Sequence, residues 1–384
     1  MYRVEKNACA FPEAVSSSNR QVASVSDKPA RIKEFEGLRG IAALSVLAFH
    51  YLYHYHRLYG HSFSPPEWLQ LGMFGYHLFF ILSGFLIFRS LESSGSIARF
   101  VKSRIFRLYP TFWVAVVITF IGVSLMGLPG RERTFKELIV NLTMAPHVFD
   151  VRYIDRVYWT LSYEISFYVI ITLLFASGAL KRLEITLGLW LGLQCGILGI
   201  SWFIWRKPPA HPWDALLMAR YSNLFILGML LHRILDRIPR RTVPPTAFGI
   251  LCSATRMEWA LIAWVTGIAT LVDPQALFVL PLIVVIFFLI QSRSSLVAPL
   301  RWAGLLYMGT ISYPLYLIHQ NLGYALIHHG YLIGWHPLLS IGLAIISSFL
   351  LAALLHHSVE APGVALGKQA FEGAHPRLSA KSEH

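Results

Sequence analysis

Charge is scarce in this sequence. Only 14% of its 384 residues are Asp, Glu, Lys or Arg, about half the share of an ordinary soluble domain. That scarcity argues against a soluble globular enzyme and against a disordered chain, which stays solvated through its charges. Cysteine is scarcer still, with Cys9, Cys195 and Cys252 as the complete set. An odd number with no C-x-x-C pair indicates neither a disulfide framework nor a metal site, so no metal is expected. Residues 1–34 lack the apolar run of a cleaved leader and are polar, with Pro12, Ser16, Ser17, Ser18 and Pro29 among them. No internal repeat and no G-x-S-x-G elbow is present, which argues against an acyl-enzyme built on a serine nucleophile. Acidic residues are few, 20 against 33 basic, for a net charge of +13. No soluble stretch is large enough to carry a basic nucleic-acid module, so no nucleic-acid partner is expected.

Apolar residues fill the gap: 55% of the chain comes from the AVILMFWYC set and mean hydropathy is +0.54. The composition predicts an all-α, polytopic integral membrane protein with about ten transmembrane helices of ~20 residues each. Hydropathy places them near 37–56, 72–91, 107–128, 157–176, 185–205, 213–233, 258–272, 275–291, 303–323 and 335–356, the 247–257 stretch being ambiguous. Pro110, Pro281 and Pro314 fall in or at the start of spans, where kinks are expected. With the N-terminus inside, 24 Lys and Arg lie in cytoplasmic segments and eight outside. That bias predicts that both termini are cytoplasmic. The organisation expected is a flexible cytoplasmic tail (1–34), a transmembrane domain (35–362) and a cytoplasmic C-terminal tail (363–384).

Ionisable groups within spans cost about 2.5–3.5 kcal/mol each on insertion scales and so mark function. His50, His77, Glu164, Arg220 and His319 are such groups. Counted from the span ends at 1.5 Å per residue, His50, Glu164 and Arg220 come out ~10 Å below the outer surface, with His77 and His319 near them. A shared polar cavity is one reading; separate helix-joining pairs such as Glu164–Arg220 are another. At the inner end, Arg104 and Arg107 are spaced i, i+3 on one helix face and suit a phosphate clamp. Arg39 and His50 are eleven residues apart, within 20° of three full turns and ~16 Å apart along one helix face. A long anionic donor such as acyl-CoA could lie along it, phosphates inside and thioester near the imidazole.

Six stretches in order resemble the membrane acyltransferase 3 family. Phe35 to Leu44 with Arg39 and His50 is similar to its arginine–ten residues–histidine opening. Gly75 to Leu86, with Ser83, is similar to its second motif, and Arg104 to Pro110 to its arginine–two residues–arginine motif. Trp159 to Glu164, Ile311 to His319 and Glu360 to Pro362 resemble its later motifs. Glu36 stands where the family usually has Asp. The resemblance implies an O-acetyltransferase that moves an acyl group, usually acetyl, from cytoplasmic acetyl-CoA to a hydroxyl of a sugar-containing acceptor. Exopolysaccharide, lipopolysaccharide and lipid-linked glycans are the acceptor classes, and the bacterial inner membrane is the place. The residues after His356 are too few for the extracytoplasmic hydrolase-like domain of some members, so a separate partner chain or a homo-oligomer is open.

Within that frame His50 is the best general base, because imidazole titrates near neutral pH. Arg39, Arg104 and Arg107 are the expected donor-binding residues. Glu164, taken with His50 as catalytic, could orient the imidazole, position the acceptor or pair with Arg220. Ser83, Trp159, Arg220, Tyr313, Tyr316 and His319 are the candidates for the acceptor or the oxyanion. The alternative is a secondary transporter of an acidic or sugar-linked solute, which also carries charges at mid-membrane. A metal site at His54, His56 and His61 is disfavoured, since His54 and His56 fall on different helix faces and Tyr51, Tyr53 and Tyr55 read as an interfacial aromatic belt.

Overall fold

The computed structural model describes residues 32–206, 213–237 and 254–372. Residues 1–31 of the expected N-terminal tail, Cys9, Cys252, most of the 247–257 stretch and residues 373–384 lie outside the described residues. Among the described residues every regular element is a helix. The long ones are α1 (Lys33–Ala48), α2 (Gly75–Ser94), α3 (Ile97–Met126), a short α4 (Phe135–Asn141), α5 (Trp159–Ala176), α6 (Leu183–Trp205) and α7 (Ser222–Asp236). They continue with α8 (Arg256–Val272), α9 (Ala276–Gln291), α10 (Ala303–Thr310), α11 (Ser312–Leu332), α12 (Pro337–Leu355) and α13 (Ala361–Glu372).

Local chemistry sets the breaks. The α2–α3 corner has Gly95 at φ 60°, and the Ser96 hydroxyl caps the Arg99 amide. That cap starts α3 ten residues before the hydropathy window, so Arg104 and Arg107 ride on the helix itself. Thr255 and Glu258 form a reciprocal cap that opens α8. The expected span at 303–323 is interrupted at Ile311, and Pro314 falls in the first turn of α11, where a missing N–H costs least.

Helical segments fall in each of the ten hydropathy windows, but residues 217–221 of the sixth are in turns. Five helical segments of the described residues are long and apolar enough to cross a membrane, or six if Ala276–Gln291 and Ser295–Arg301, bent by 92°, count as one span. α11 has 21 residues and no Asp, Glu, Lys or Arg, so its His, Gln and Asn residues are what lower its hydropathy. Leu125, Phe203, Leu271 and Phe278 are each at least 77% exposed. Left in water they would forfeit the gain of burial, whereas lipid is as apolar as they are.

The centre is α7, with thirteen of its fifteen residues buried. It crosses α2 where a Cβ on Gly84 would strike the Phe225 carbonyl and one on Gly228 the Ile81 carbonyl. Small residues here let the two backbones meet. α1 packs on α2, α10 and α11, and α11 on α3 and α12. Residues 363–372, expected as tail, are helical: α12 runs through a π-turn (His356–Glu360) into α13, whose Gly363 and Gly367 lie against Phe106. The segment after α3 folds back along it. Trp113 Nε1 donates to the Leu142 carbonyl at 2.9 Å and Tyr109 Oη to that of Thr143 at 3.3 Å. Trp113 is roughly 20 Å along the helix from Met126, so this loop reaches well down the side of α3.

Candidate active site

Five helices, α1, α2, α3, α5 and α11, enclose a cavity of about 110 Å³. Its only formally charged lining residues are Arg39, Arg104, Arg107 and Glu164. Three guanidiniums against one carboxylate leave an excess of positive charge in a space otherwise walled by Phe79, Phe80, Leu82 and tyrosines. Glu164 Oε1 accepts from Tyr168 Oη at 2.6 Å. Arg104 donates from Nη2 to Ser90 Oγ at 3.2 Å and lies 5.5 Å from the Phe100 ring centre. Its Nε is buried without a hydrogen-bond partner, so this guanidinium has donor capacity to spare. Ser83, Ser312 and Tyr313 line the same cavity, and Tyr313 Oη donates to the Leu108 carbonyl at 2.9 Å.

A second cavity, about 280 Å³, is lined by His50, His54, Trp159, Arg156 and Gln320. Tyr76 and Tyr316 line both cavities, so the arginine space and the histidine space adjoin at these two rings. The Tyr316 hydroxyl lies 2.9 Å from Thr160 Oγ1 and 3.3 Å from the Val157 carbonyl. Arg39 and His50 therefore face neighbouring compartments rather than one groove. Beyond Ala48 the helix continues from α1 as a π-turn over Phe49–His54. The extra residue in such a turn shifts every later side chain off the α-helical count.

His50 Nδ1 is 3.0 Å from His319 Nε2. His319, 2% exposed, turns its other nitrogen, Nδ1, to the carbonyls of Leu315 and Tyr316 at 3.1 and 3.0 Å. Behind this pair is a buried polar lattice. Tyr51 Oη donates to the His319 carbonyl at 2.6 Å and receives Ser348 Oγ at 2.6 Å. A side chain at position 323 would collide with Tyr51, so glycine is required there. Asp155 Oδ2 accepts the Asn321 amide at 2.8 Å, and Tyr158 Oη donates to the Leu317 carbonyl at 3.0 Å. Leu317 and Asn321 are the i, i+4 pair that an α-helix would join. Loop side chains thus reach both members of that pair, just beyond His319. Asp155 is fully buried in the loop before α5, and burial raises its carboxyl to about 6, partly offset by the Asn321 and Val157 amides.

The structure separates residues that depth counting grouped. Glu164 lies with the arginines, not with His50. Arg220 pairs through Nε with Asp214 Oδ2 at 2.7 Å, not with Glu164, and lines neither cavity. His77 is buried between the Phe74 and Tyr76 rings, 4.8 and 4.3 Å away centre to centre. Trp159 lines the histidine cavity beside His50. No cluster of three metal-ligating side chains occurs among the described residues. Sequence reading missed Tyr51, Asp155, Tyr158 and Asn321. An aspartate in a loop between spans carries no periodic or depth signal, and Tyr51 read as an interfacial ring.

The helical bundle thus holds a cationic cavity joined to a histidine-lined one, among segments long and apolar enough to cross a membrane. The family model of the acyltransferase domain matches residues 32–357, and the chain belongs to this family, acyltransferase 3. It is similar to the exopolysaccharide production protein ExoZ of Rhizobium meliloti (strain 1021), 24% identical over 324 residues, covering 83% of this chain and 95% of the relative. It is also similar to the acyltransferase MdmB of Streptomyces mycarofaciens, 26% identical over 317 residues, covering 75% of this chain and 78% of that one. No solved structure matches the chain. The protein is an O-acyltransferase of the membrane.

Proposed function

We propose that the protein transfers an acyl group, acetyl first among them, from cytoplasmic acyl-CoA to a hydroxyl of a sugar-containing acceptor. An envelope glycan such as exopolysaccharide is the acceptor class favoured by the relative named for exopolysaccharide production. The carrying observation is the pair of adjoining cavities, with three arginines in one and His50 in the other. In this reading the arginine cavity opens toward the cytoplasm and takes the donor's phosphates, with the unpartnered Nε of Arg104 among its donors. The thioester passes between Tyr76 and Tyr316 to meet the acceptor beside His50. His50 takes the proton of the acceptor hydroxyl as that oxygen bonds to the thioester carbonyl carbon. The carbon–sulfur bond then breaks, and His50 returns its proton to the thiolate, leaving an ester and free CoA. Apolar walls exclude water, which would otherwise hydrolyse the thioester. Ser83 and Tyr316 are the candidates for stabilising the oxyanion, and the bacterial inner membrane is the setting.

The test supplies radiolabelled acetyl-CoA and candidate glycans to membrane vesicles. Loss of a positioned base typically costs about 10²–10⁴ in rate. His50→Gln keeps a polar side chain without an effective base, so turnover should fall by that order while acetyl-CoA still binds. Near-normal transfer by a correctly inserted His50→Gln protein would end this mechanism.

A further inference from the structure

We infer that His319 is a positioning residue that fixes the tautomer of His50, so that His50 presents a bare Nε2 to the acceptor hydroxyl. The inference rests on the reading of His50 as the base. It follows from counting protons along a chain of bonds. His319 Nδ1 faces two carbonyl oxygens, those of Leu315 and Tyr316. Carbonyls only accept, so Nδ1 must carry the hydrogen. A neutral imidazole has one, which leaves His319 Nε2 as a lone pair. That lone pair is 3.0 Å from His50 Nδ1, and the contact is a hydrogen bond only if His50 carries its own proton on Nδ1. His50 Nε2 is then the acceptor that remains, on a ring that lines the histidine cavity. No ion pair involves either ring among the described residues. A buried imidazolium at either place would lack the partner that offsets its desolvation.

The backbone around His319 is held for this purpose from two sides. Tyr51 binds the His319 carbonyl, while Asp155 and Tyr158 hold the turn that follows. When His50 gains a proton at Nε2, its Nδ1–H stays bonded to His319, which keeps the ring aimed. His319 therefore has the orienting part that a carboxylate has in a catalytic triad, but as a neutral acceptor.

Two substitutions separate the tautomer role from mere packing. His319→Gln can place an amide oxygen near the former Nε2 position. His319→Asn is shorter and mimics only the Nδ1 end. The protein, labelled with ¹⁵N-histidine and reconstituted in nanodiscs, gives the tautomer of each ring by NMR, with His50 assigned by the signal lost in His50→Gln. Wild type should show His50 protonated at Nδ1. His319→Gln should keep that state and stay within about threefold of wild-type kcat. His319→Asn should shift His50 toward the Nε2–H form and lower kcat by at least about tenfold, with the KM for acetyl-CoA changed less than about twofold. A wild-type His50 protonated at Nε2, or an unchanged tautomer in folded His319→Asn, overturns the inference. If His319→Asn fails to fold, the wild-type and His319→Gln spectra decide. A tautomer that shifts in His319→Asn with no loss of turnover would uphold the positioning role and instead refute His50 as the base.

Discussion

Arg104 is buried with an unused Nε, beside two more guanidiniums and a single carboxylate. A hydrogen bond to a charged group is worth about 1.5–3 kcal/mol. Arg104→Ala and Arg107→Ala should each weaken acyl-CoA binding by about that much, measured by equilibrium binding to the detergent-solubilised protein. Lysine should restore only part of it, because the bidentate fork is lost. A double alanine variant that binds acyl-CoA normally would remove these residues from the donor site. Glu164→Gln takes away the cavity's only negative charge, so it should not weaken donor binding; a fall in turnover alone would mark Glu164 as part of the chemistry. The three arginines were legible from sequence because each sits in a motif with helical spacing. The place of Glu164 was not. Span ends drawn from hydropathy are uncertain by a few residues, and five residues are about 7.5 Å of helix, enough to move a side chain from one cavity to the next.

Helices, rather than single side chains, carry the features that composition hides. The π-turn in α1 and the bonded turn of α11 meet at Tyr51, His50 and His319. The contacts there have no sequence signature in a single chain: Tyr51 and His50 reach His319 across some 270 positions, and Tyr158 and Asp155 reach Leu317 and Asn321 across about 160. Gly323→Ala should therefore displace Tyr51 and, through it, the π-turn; the expected result is lost activity with the donor site intact. Asp155 supplies a test by pH. Its folded value, about 6, lies above the ordinary carboxyl value of 3.8. Folding then takes up a proton between those values, so the contribution to stability is highest below about pH 4 and is lost as pH rises through about 6. The loss is on the order of 3 kcal/mol, complete at neutral pH. Asp155→Asn removes this titration while keeping a carbonyl oxygen for the Asn321 amide. Its Tm relative to wild type should be highest near about pH 7.5 and should decline toward about pH 5. A difference that does not change with pH would mean that Asp155 does not titrate in this range.

For the whole molecule, the proposed transfer needs opposite supplies: a nucleotide-bearing donor made inside the cell at the arginine cavity, a glycan hydroxyl at the histidine cavity. Only one orientation delivers both, and it is the one in which the α2–α3 corner, next to Arg99, Lys102 and Arg104, faces the cytoplasm. The bias of basic residues was readable in the sequence because it depends on loop composition, not on packing. The depth of the loop after α3 was not readable, since its contacts with Tyr109 and Trp113 are tertiary. That matters for the choice of probes: positions near Leu142 lie against α3, whereas Glu132 is exposed. In a background with Cys9, Cys195 and Cys252 replaced, Glu132→Cys should react with a membrane-impermeant maleimide in intact cells. Ser93→Cys, exposed at the end of α2, should react only after permeabilisation. The reverse pattern would place Arg39, Arg104 and Arg107 at the outer face, out of reach of cytoplasmic acyl-CoA, and the direction of transfer proposed here would fall with it.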